Sequence, residues 1–110
     1  MATKEIKRGQ IWWGNLGEGI GSEQKGYRPL IVVSNNLGCA SSTCVSVVPL
    51  TTKIKKGIAT HCYINGVVKG TALCEQIRCI SKERLEKYAM EITKAEQEAI
   101  DKALKFGLGV

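Results

Sequence analysis

The stretch KGYRPLIVVSNN, Lys25 to Asn36, sets an arginine and a proline against one of the two most apolar runs in the chain. Leu30 to Val33 is a run of aliphatic residues bounded by polar ones, the pattern of a buried strand. The strand is predicted over Arg28 to Ser34, with Pro29 at its start, where a missing N–H is tolerated. An arginine at the mouth of such a strand is either solvated or aimed at a ligand, because unpaired burial of its charge is costly. The residues of this stretch leave both readings open.

The flanking segments read outward from it. Upstream, QIWWGN (Gln10 to Asn15) is a first strand rich in aromatic residues. Trp12 and Trp13 are consecutive, so they face opposite sides of it, one toward the core and one toward a surface or interface. Between the two strands lies LGEGIGSEQKG (Leu16 to Gly26), a glycine-rich loop too long for a hairpin turn and of a length that is often functional. Downstream, TCVSVVPL (Thr43 to Leu50) is a third strand, and its Pro49 marks an irregular end or an edge. His61 to Ile64 and Val67 to Val68 flank Asn65-Gly66, a two-residue hairpin signal. Gly70 to Ile80 is the last extended region.

Then the periodicity changes. Ser81 to Lys87 reads as a short helical turn with Ser81 as its N-cap. Thr93 to Phe106 is predicted as a helix. Thr93 and Glu96 form a capping box, Gly107 suits the C′ position, and Ala95, Ala99, Ile100, Ala103 and Leu104 make a core-facing stripe. Strands first and a helix last is an α+β, mostly β arrangement, such as a small barrel with a helical lid. The 110 residues show no repeat or linker and read as one domain over 1–110.

Composition narrows the function classes. The chain is 44 % apolar and 24 % charged, with a net charge of +6. Asn36 to Cys74 holds no acidic residue but contains Lys53, Lys55, Lys56 and Lys69, whereas Glu91 to Lys105 is acid-rich. A basic surface of this kind attracts nucleic acid or anionic lipid, or is simply solvated. No apolar stretch approaches membrane-spanning length. Five cysteines, with no CxxC and no signal peptide, predict a cytoplasmic chain with reduced thiols that are mostly buried. His61 is the only histidine and has no ligand spacing around it, so no metal site is expected.

Several polar stretches sit where strands begin or end: Lys7-Arg8-Gly9, Gly21-Ser22-Glu23-Gln24, Gly26-Tyr27-Arg28-Pro29 and Asn35. Leu50-Thr51, Thr60-His61 and Glu75-Gln76-Ile77-Arg78 continue the set. In this order they resemble the MazF/PemK type of toxin endoribonuclease (mRNA interferase) from bacterial toxin–antitoxin systems. The resemblance runs from about Ile6 to Leu108. It implies a small SH3-like, CcdB/MazF-type barrel with a C-terminal helix. It implies a homodimer that binds single-stranded RNA at the dimer interface and cleaves it within short sequence motifs, without metal or other cofactor. A MazE-like antitoxin is the implied partner, blocking that groove with an extended, largely acidic segment. Arg28 and Thr51 fall on the catalytic positions. Ser22, Glu23, Gln24, Asn35, Glu75 and Gln76 fall on RNA-contacting or supporting positions.

The chemistry available to these residues agrees. Metal-free RNA cleavage uses the substrate's 2′-OH as nucleophile and needs a base, charge stabilisation at the phosphate and an acid for the leaving 5′-oxygen. With one histidine there is no histidine pair, and the acid-free stretch argues against a two-metal site. Arg28 offers paired N–H donors to phosphate oxygens. Thr51 offers a hydroxyl to hold the in-line geometry, with Thr52 beside it. Arginine is a poor base at its normal pKa, and Glu23 is the other candidate for taking the 2′-OH proton. The expected ends are 2′,3′-cyclic phosphate and 5′-hydroxyl.

The chain departs from that pattern in places. Cys39-Ala40 stands where relatives often carry a polar pair, and the loops after Lys53 and after Ile64 are shortened, so the cleavage motif does not carry over. Two other readings compete. A CcdB-like topoisomerase poison depends on a tryptophan-tipped C-terminal helix, which the ending Phe106-Gly-Leu-Gly-Val lacks. A silent RNA-binding barrel does not explain the presence of Arg28 and Thr51 with the GSEQ loop.

Overall fold

The computed structural model describes residues 5–53 and 57–110. Seven strands, two helices and two short 3₁₀ turns follow in the order β1 (Gln10–Asn15), β2 (Tyr27–Val32), α1 (Asn36–Ser41), β3 (Cys44–Thr51), β4 (His61–Ile64), β5 (Gly70–Leu73), β6 (Arg78–Ser81), β7 (Leu85–Glu91) and α2 (Lys94–Leu108). The 3₁₀ turns are Cys74–Gln76, between β5 and β6, and Lys82–Arg84, between β6 and β7. All pairings are antiparallel, in the order β4-β5-β3-β2-β1-β7, with β6 also on β3. Among the described residues no ladder joins β7 to β4, so the sheet of this small barrel-like fold is not closed. The mostly β class with one long C-terminal helix holds. No helix among the described residues is long and apolar enough to cross a membrane.

The apolar run of β2 is the spine. Leu30, Ile31 and Val32 are fully buried and feed two clusters. Ile31 joins Ile11, Val48 and Leu50 beneath α2, while Leu30 and Val32 join Trp12, Val47 and Leu85. Burying an aliphatic side chain of this size contributes about 1.5–3 kcal/mol, and β2 does so on both faces. That is why the run lacks the polar alternation of a half-exposed strand.

Pro49 lies inside β3 rather than at its end. Val33 N donates to Ser46 O across the β2–β3 pair. The alternation of antiparallel pairs then turns the Pro49 nitrogen, opposite Leu30, toward the other edge of β3. That edge pairs with β6 through Val47 and with β5 from Leu50. The missing N–H falls in the gap between two partner strands, where it breaks no ladder bond.

Other expectations are corrected. The Asn65-Gly66 turn is not a two-residue hairpin: Ile64 pairs with Gly70, and Gly66 does not take a positive φ. Val68 is buried instead, and the connection is held by Asn65 N donating to Glu96 and Val68 N to the Met90 sulfur. Residues 36–41, for which the sequence predicts no element, form a short helix, α1, because Asn35 caps it and Cys39 is buried beneath it. Gly70 to Ile80 is broken by the Cys74–Gln76 turn. Ser81 does cap a turn, over Lys82–Arg84, but the chain then becomes an edge strand. Leu85 is buried there and Tyr88 meets Trp12 edge-on, with exposed Glu86 and Lys87 between them.

The capping box of α2 is present, with both Thr93–Glu96 bonds made. The helix runs through Gly107 to Leu108, and the left-handed terminal residue is Gly109, at φ 73°. Ile100, Ala103 and Leu104 reach the core, but Ala95 and Ala99 are exposed. Of the five cysteines only Cys39 and Cys74 are buried, while Cys44 and Cys79 are exposed.

Candidate active site

Arg28 is the second residue of β2 and pairs with Gly14 of β1. A Cβ at Gly14 would lie 2.7 Å from the Arg84 carbonyl and 3.0 Å from Leu30 Cδ1, so any side chain there would force the neighbouring turn to shift. Two carbonyls hold the guanidinium: Nε donates to Lys25 O at 2.9 Å and Nη1 to Leu50 O at 3.2 Å. Nη2 has no protein partner among the described residues. Partial burial draws the group below its usual value, without removing the charge an arginine keeps at neutral pH. The geometry is that of a fixed cation with donors left over.

The carbonyl that receives Nη1 belongs to the residue before Thr51, so arginine and threonine are brought together. Thr51 is the last residue of β3 and is 9 % exposed. Its Oγ1 accepts from Lys53 N at 3.3 Å, which leaves the hydroxyl proton free to donate outward. Thr51 pairs with Thr71 beside Gly70, and any Cβ at Gly70 would run into the Thr51 carbonyl. Thr52, the neighbour, is exposed. Arg28, Thr51, Thr52, Lys53, Lys69 and Gln24 are the polar groups of one cavity of about 600 Å³, and no carboxylate among the described residues lines it. Lys53 and Lys69 put part of the predicted basic surface here. Lys55 and Lys56 lie outside the described residues.

Gln24 also borders a second, smaller cavity of about 270 Å³, which contains Glu23, Glu75, Gln76 and Arg78. Here the loop between β1 and β2 meets the turn between β5 and β6. Gln76 makes the link with both ends of its amide: Oε1 accepts from Gln24 N at 2.8 Å, and Nε2 donates to Ser22 O at 3.2 Å. The loop's base is closed by Leu16 N to Gly26 O and Gly26 N to Gly17 O. Ser22 and Glu23 are exposed.

Glu75 is tied the other way, to β4. Oε2 meets His61 Nε2 at 2.8 Å and Oε1 accepts from the Thr60 hydroxyl at 3.2 Å. Partial burial pushes the Glu75 carboxyl up. The His61 hydrogen bond, its own backbone amide, the His61 charge and Thr60 outweigh that and hold it below the ordinary value of 4.5. The His61 ring is only 4 % exposed, and its Nδ1 is buried without a partner among the described residues. No reading of the sequence joined His61 to Glu75. Their separation in sequence hides a contact that the β4–β5 register, His61 opposite Leu73, makes necessary.

Asn35 stands apart from this group. Its Oδ1 accepts from Gly38 N at 2.7 Å as the cap of α1, and it lies beyond the far end of β2. Seven residues of nearly extended chain put it roughly 20 Å from Arg28. Of the other predicted positions, Glu23, Gln24, Glu75 and Gln76 line the two adjoining cavities, and Ser22 is joined to them through its carbonyl, which accepts from Gln76. Sequence reasoning missed the wall of the larger one, where Trp13 and Tyr27 stack at 5.6 Å between ring centroids and 19° between planes.

A small antiparallel sheet followed by a helix, with a fixed guanidinium and a threonine hydroxyl in one cleft of the described residues, defines a class of fold and site whose chemistry suits an anion. The chain belongs to the PemK-like, MazF-like toxin family of type II toxin–antitoxin systems, whose family model matches residues 7–108. It is 32 % identical to Endoribonuclease EndoA of Bacillus subtilis, over 96 % of each chain. It is 34 % identical to Endoribonuclease MazF9 of Mycobacterium tuberculosis, over 94 % of this chain and 96 % of that one. Among solved structures it is similar to a mycobacterial endoribonuclease in complex with its cognate antitoxin, with TM-score 0.83, 29 % identity and 96 % of each chain covered. MazF of Deinococcus radiodurans shares the fold, with TM-score 0.87 at 22 % identity, over 98 % of this chain and all of that one.

Proposed function

We propose that this chain is the endoribonuclease toxin of a toxin–antitoxin pair, and that it cleaves single-stranded cytoplasmic RNA without a metal. The observation that carries the reading is the Arg28–Leu50 bond, which fixes a guanidinium beside Thr51 in a cleft lined by no carboxylate among the described residues. The substrate's own 2′-OH attacks the adjacent phosphorus in line with the departing 5′-oxygen. Arg28 meets the charge developing on the phosphoryl oxygens with its unused N–H groups. Thr51 holds the reacting groups in register through its hydroxyl. The phosphorus gains the 2′-oxygen and loses the 5′-oxygen, and the proton from the 2′-OH is balanced by one delivered to the 5′-oxygen. The ends are then 2′,3′-cyclic phosphate and 5′-hydroxyl.

Ser22, Glu23, Gln24, Glu75 and Gln76 line the path of the strand, with Gln24 at the junction of the two cavities. Two copies of the chain and an antitoxin with an extended acidic segment complete the assembly, the acidic segment facing the cleft that holds Arg28, Lys53 and Lys69. The support for the antitoxin is the family and the mycobacterial relative solved with one.

The test is incubation of purified protein with a long single-stranded RNA in EDTA, followed by mapping of both ends, with Arg28→Ala alongside. Cleavage to cyclic phosphate and 5′-hydroxyl, lost in the variant, is the expected result. Ends bearing 5′-phosphate refute the chemistry, and undiminished cleavage by the variant removes Arg28 from its role.

A further inference from the structure

Trp13 and Tyr27 form an aromatic shelf beside the arginine. They are diagonal neighbours on one face of the β1–β2 ladder, since Trp13 pairs with Pro29 and Asn15 with Tyr27. Their rings lie nearly parallel, at 5.6 Å and 19°. Trp13 is half-buried against the core under α2, and Tyr27 is 53 % exposed. Both rings line the 600 Å³ cavity that contains Arg28 and Thr51. The other tryptophan is different: Trp12 is buried, donates to Gln10 and meets Tyr88 edge-on.

We propose that Trp13 and Tyr27 bind a nucleobase flanking the phosphate held at Arg28, the base stacking on the exposed tyrosine ring; this rests on the RNA-cleaving function proposed above. A tyrosine whose only task is to cover Trp13 needs no place in the cleft. Here the ring sits next in sequence to the phosphate-binding arginine, and Lys53 and Lys69 stand among the polar groups of the same cavity. A strand whose phosphate lies on a fixed guanidinium must place a base within one nucleotide of it. Every base has a π-face, so such a shelf accepts any base and favours purines by their larger overlap. It adds affinity and orientation next to the scissile bond, where a strand held by charge alone swivels.

The test separates this subsite from the function it rests on. Binding is measured by fluorescence anisotropy with a labelled single-stranded oligonucleotide carrying 2′-deoxy sugars, which lacks the nucleophile and is not cleaved. Tyr27→Leu keeps an apolar cover over Trp13 but offers no ring, and Tyr27→Phe keeps the ring. The leucine variant is expected to bind about 5- to 150-fold more weakly, the range for one base–aromatic stack. The phenylalanine variant binds like wild type, and both melt near the wild-type midpoint. An abasic nucleotide next to the mapped cleavage site costs wild type the same factor and costs Tyr27→Leu nothing further. A pure covering role cannot produce that non-additivity. Equal binding by wild type and Tyr27→Leu, or no abasic penalty in wild type at any position, overturns the shelf. If the leucine variant fails to fold, the abasic scan on wild type decides alone. Wild type that neither binds nor cleaves any single strand overturns the RNA reading and the shelf together, and shows it without a variant.

Discussion

The two sides of the cleft are held by different means. On one side Arg28 is part of a strand whose following residues are fully buried, and its side chain is tied to two backbone carbonyls. On the other, the tip of the Leu16–Gly26 loop reaches the body through one side chain, Gln76, by two hydrogen bonds. The cation is therefore placed by core packing and the loop by a polar latch. Core packing resists displacement because any shift opens a void, whereas a latch of two bonds opens at modest cost. The proposed function, holding phosphate rigidly while admitting a long chain, calls for both.

Arg28→Ala is expected to have the largest effect. Removing a donor that follows transition-state charge typically lowers rate by about a hundred- to a thousandfold. The melting midpoint is expected to fall only slightly, since the side chain is half-exposed and its two bonds go to backbone carbonyls. Arg28→Lys separates charge from geometry: a lysine supplies a point charge but not the planar pair of donors, so most of the loss persists. If lysine restores full cleavage rates, the rigid side of the comparison falls.

Gly70→Ala tests the same side through the backbone. The added methyl meets the Thr51 carbonyl, so β5 or β3 must shift. The expected cost is about 1–3 kcal/mol of stability by chemical denaturation, with cleavage reduced beyond what the unfolded fraction explains. A stable variant with wild-type activity would show that the position of Thr51 is not critical.

Gln76→Ala addresses the loop. It removes both latch bonds, each worth about 0.5–1.5 kcal/mol. Amide exchange at residues 20–25 is expected to speed up by roughly tenfold and kcat/KM to fall by a similar factor, while the core amides of β2 keep their protection. Unchanged exchange in the loop would mean that its own bonds, such as Glu23 N to Ile20 O, suffice to hold it.

These two sides were unequally legible in the sequence. The strand could be read because an unbroken aliphatic run needs no partner to identify it, and the family motifs placed Arg28 and Thr51 at its ends and beyond. The capping box of α2 was readable for the same reason, being local to Thr93 and Glu96. What could not be read depended on residues far apart in the chain. Gln76 latches Ser22 and Gln24 from more than fifty positions away. β7 forms because Leu85 and Tyr88 complete a cluster around Trp12, against the helical look of SKERLEK. Asn65-Gly66 carries a strong turn signal, yet burial of Val68 overrides it.

The smallest predicted effect concerns the turn from which Gln76 projects. Glu75 anchors that turn to Thr60 and His61, and its carboxyl is held below the ordinary value of 4.5. A carboxyl lowered in the folded state stabilises that state fully above the unfolded value, and the contribution disappears as pH falls through the folded value. The Glu75 side chain is 41 % exposed, so solvent screens much of the interaction. Wild type is thus expected to lose a small part of its stability in the acid range below 4.5, and Glu75→Gln to show a flatter melting profile there. At neutral pH the same variant leaves the His61 ring with an amide in place of a carboxylate, and the turn that aims Gln76 loosens. Loop exchange should then rise in Glu75→Gln by less than in Gln76→Ala, since the anchor acts on the latch and not on the loop. An equal or greater rise would move the tether from Gln76 to the whole turn, and the softer side of the cleft would be a hinged unit instead of a single side chain.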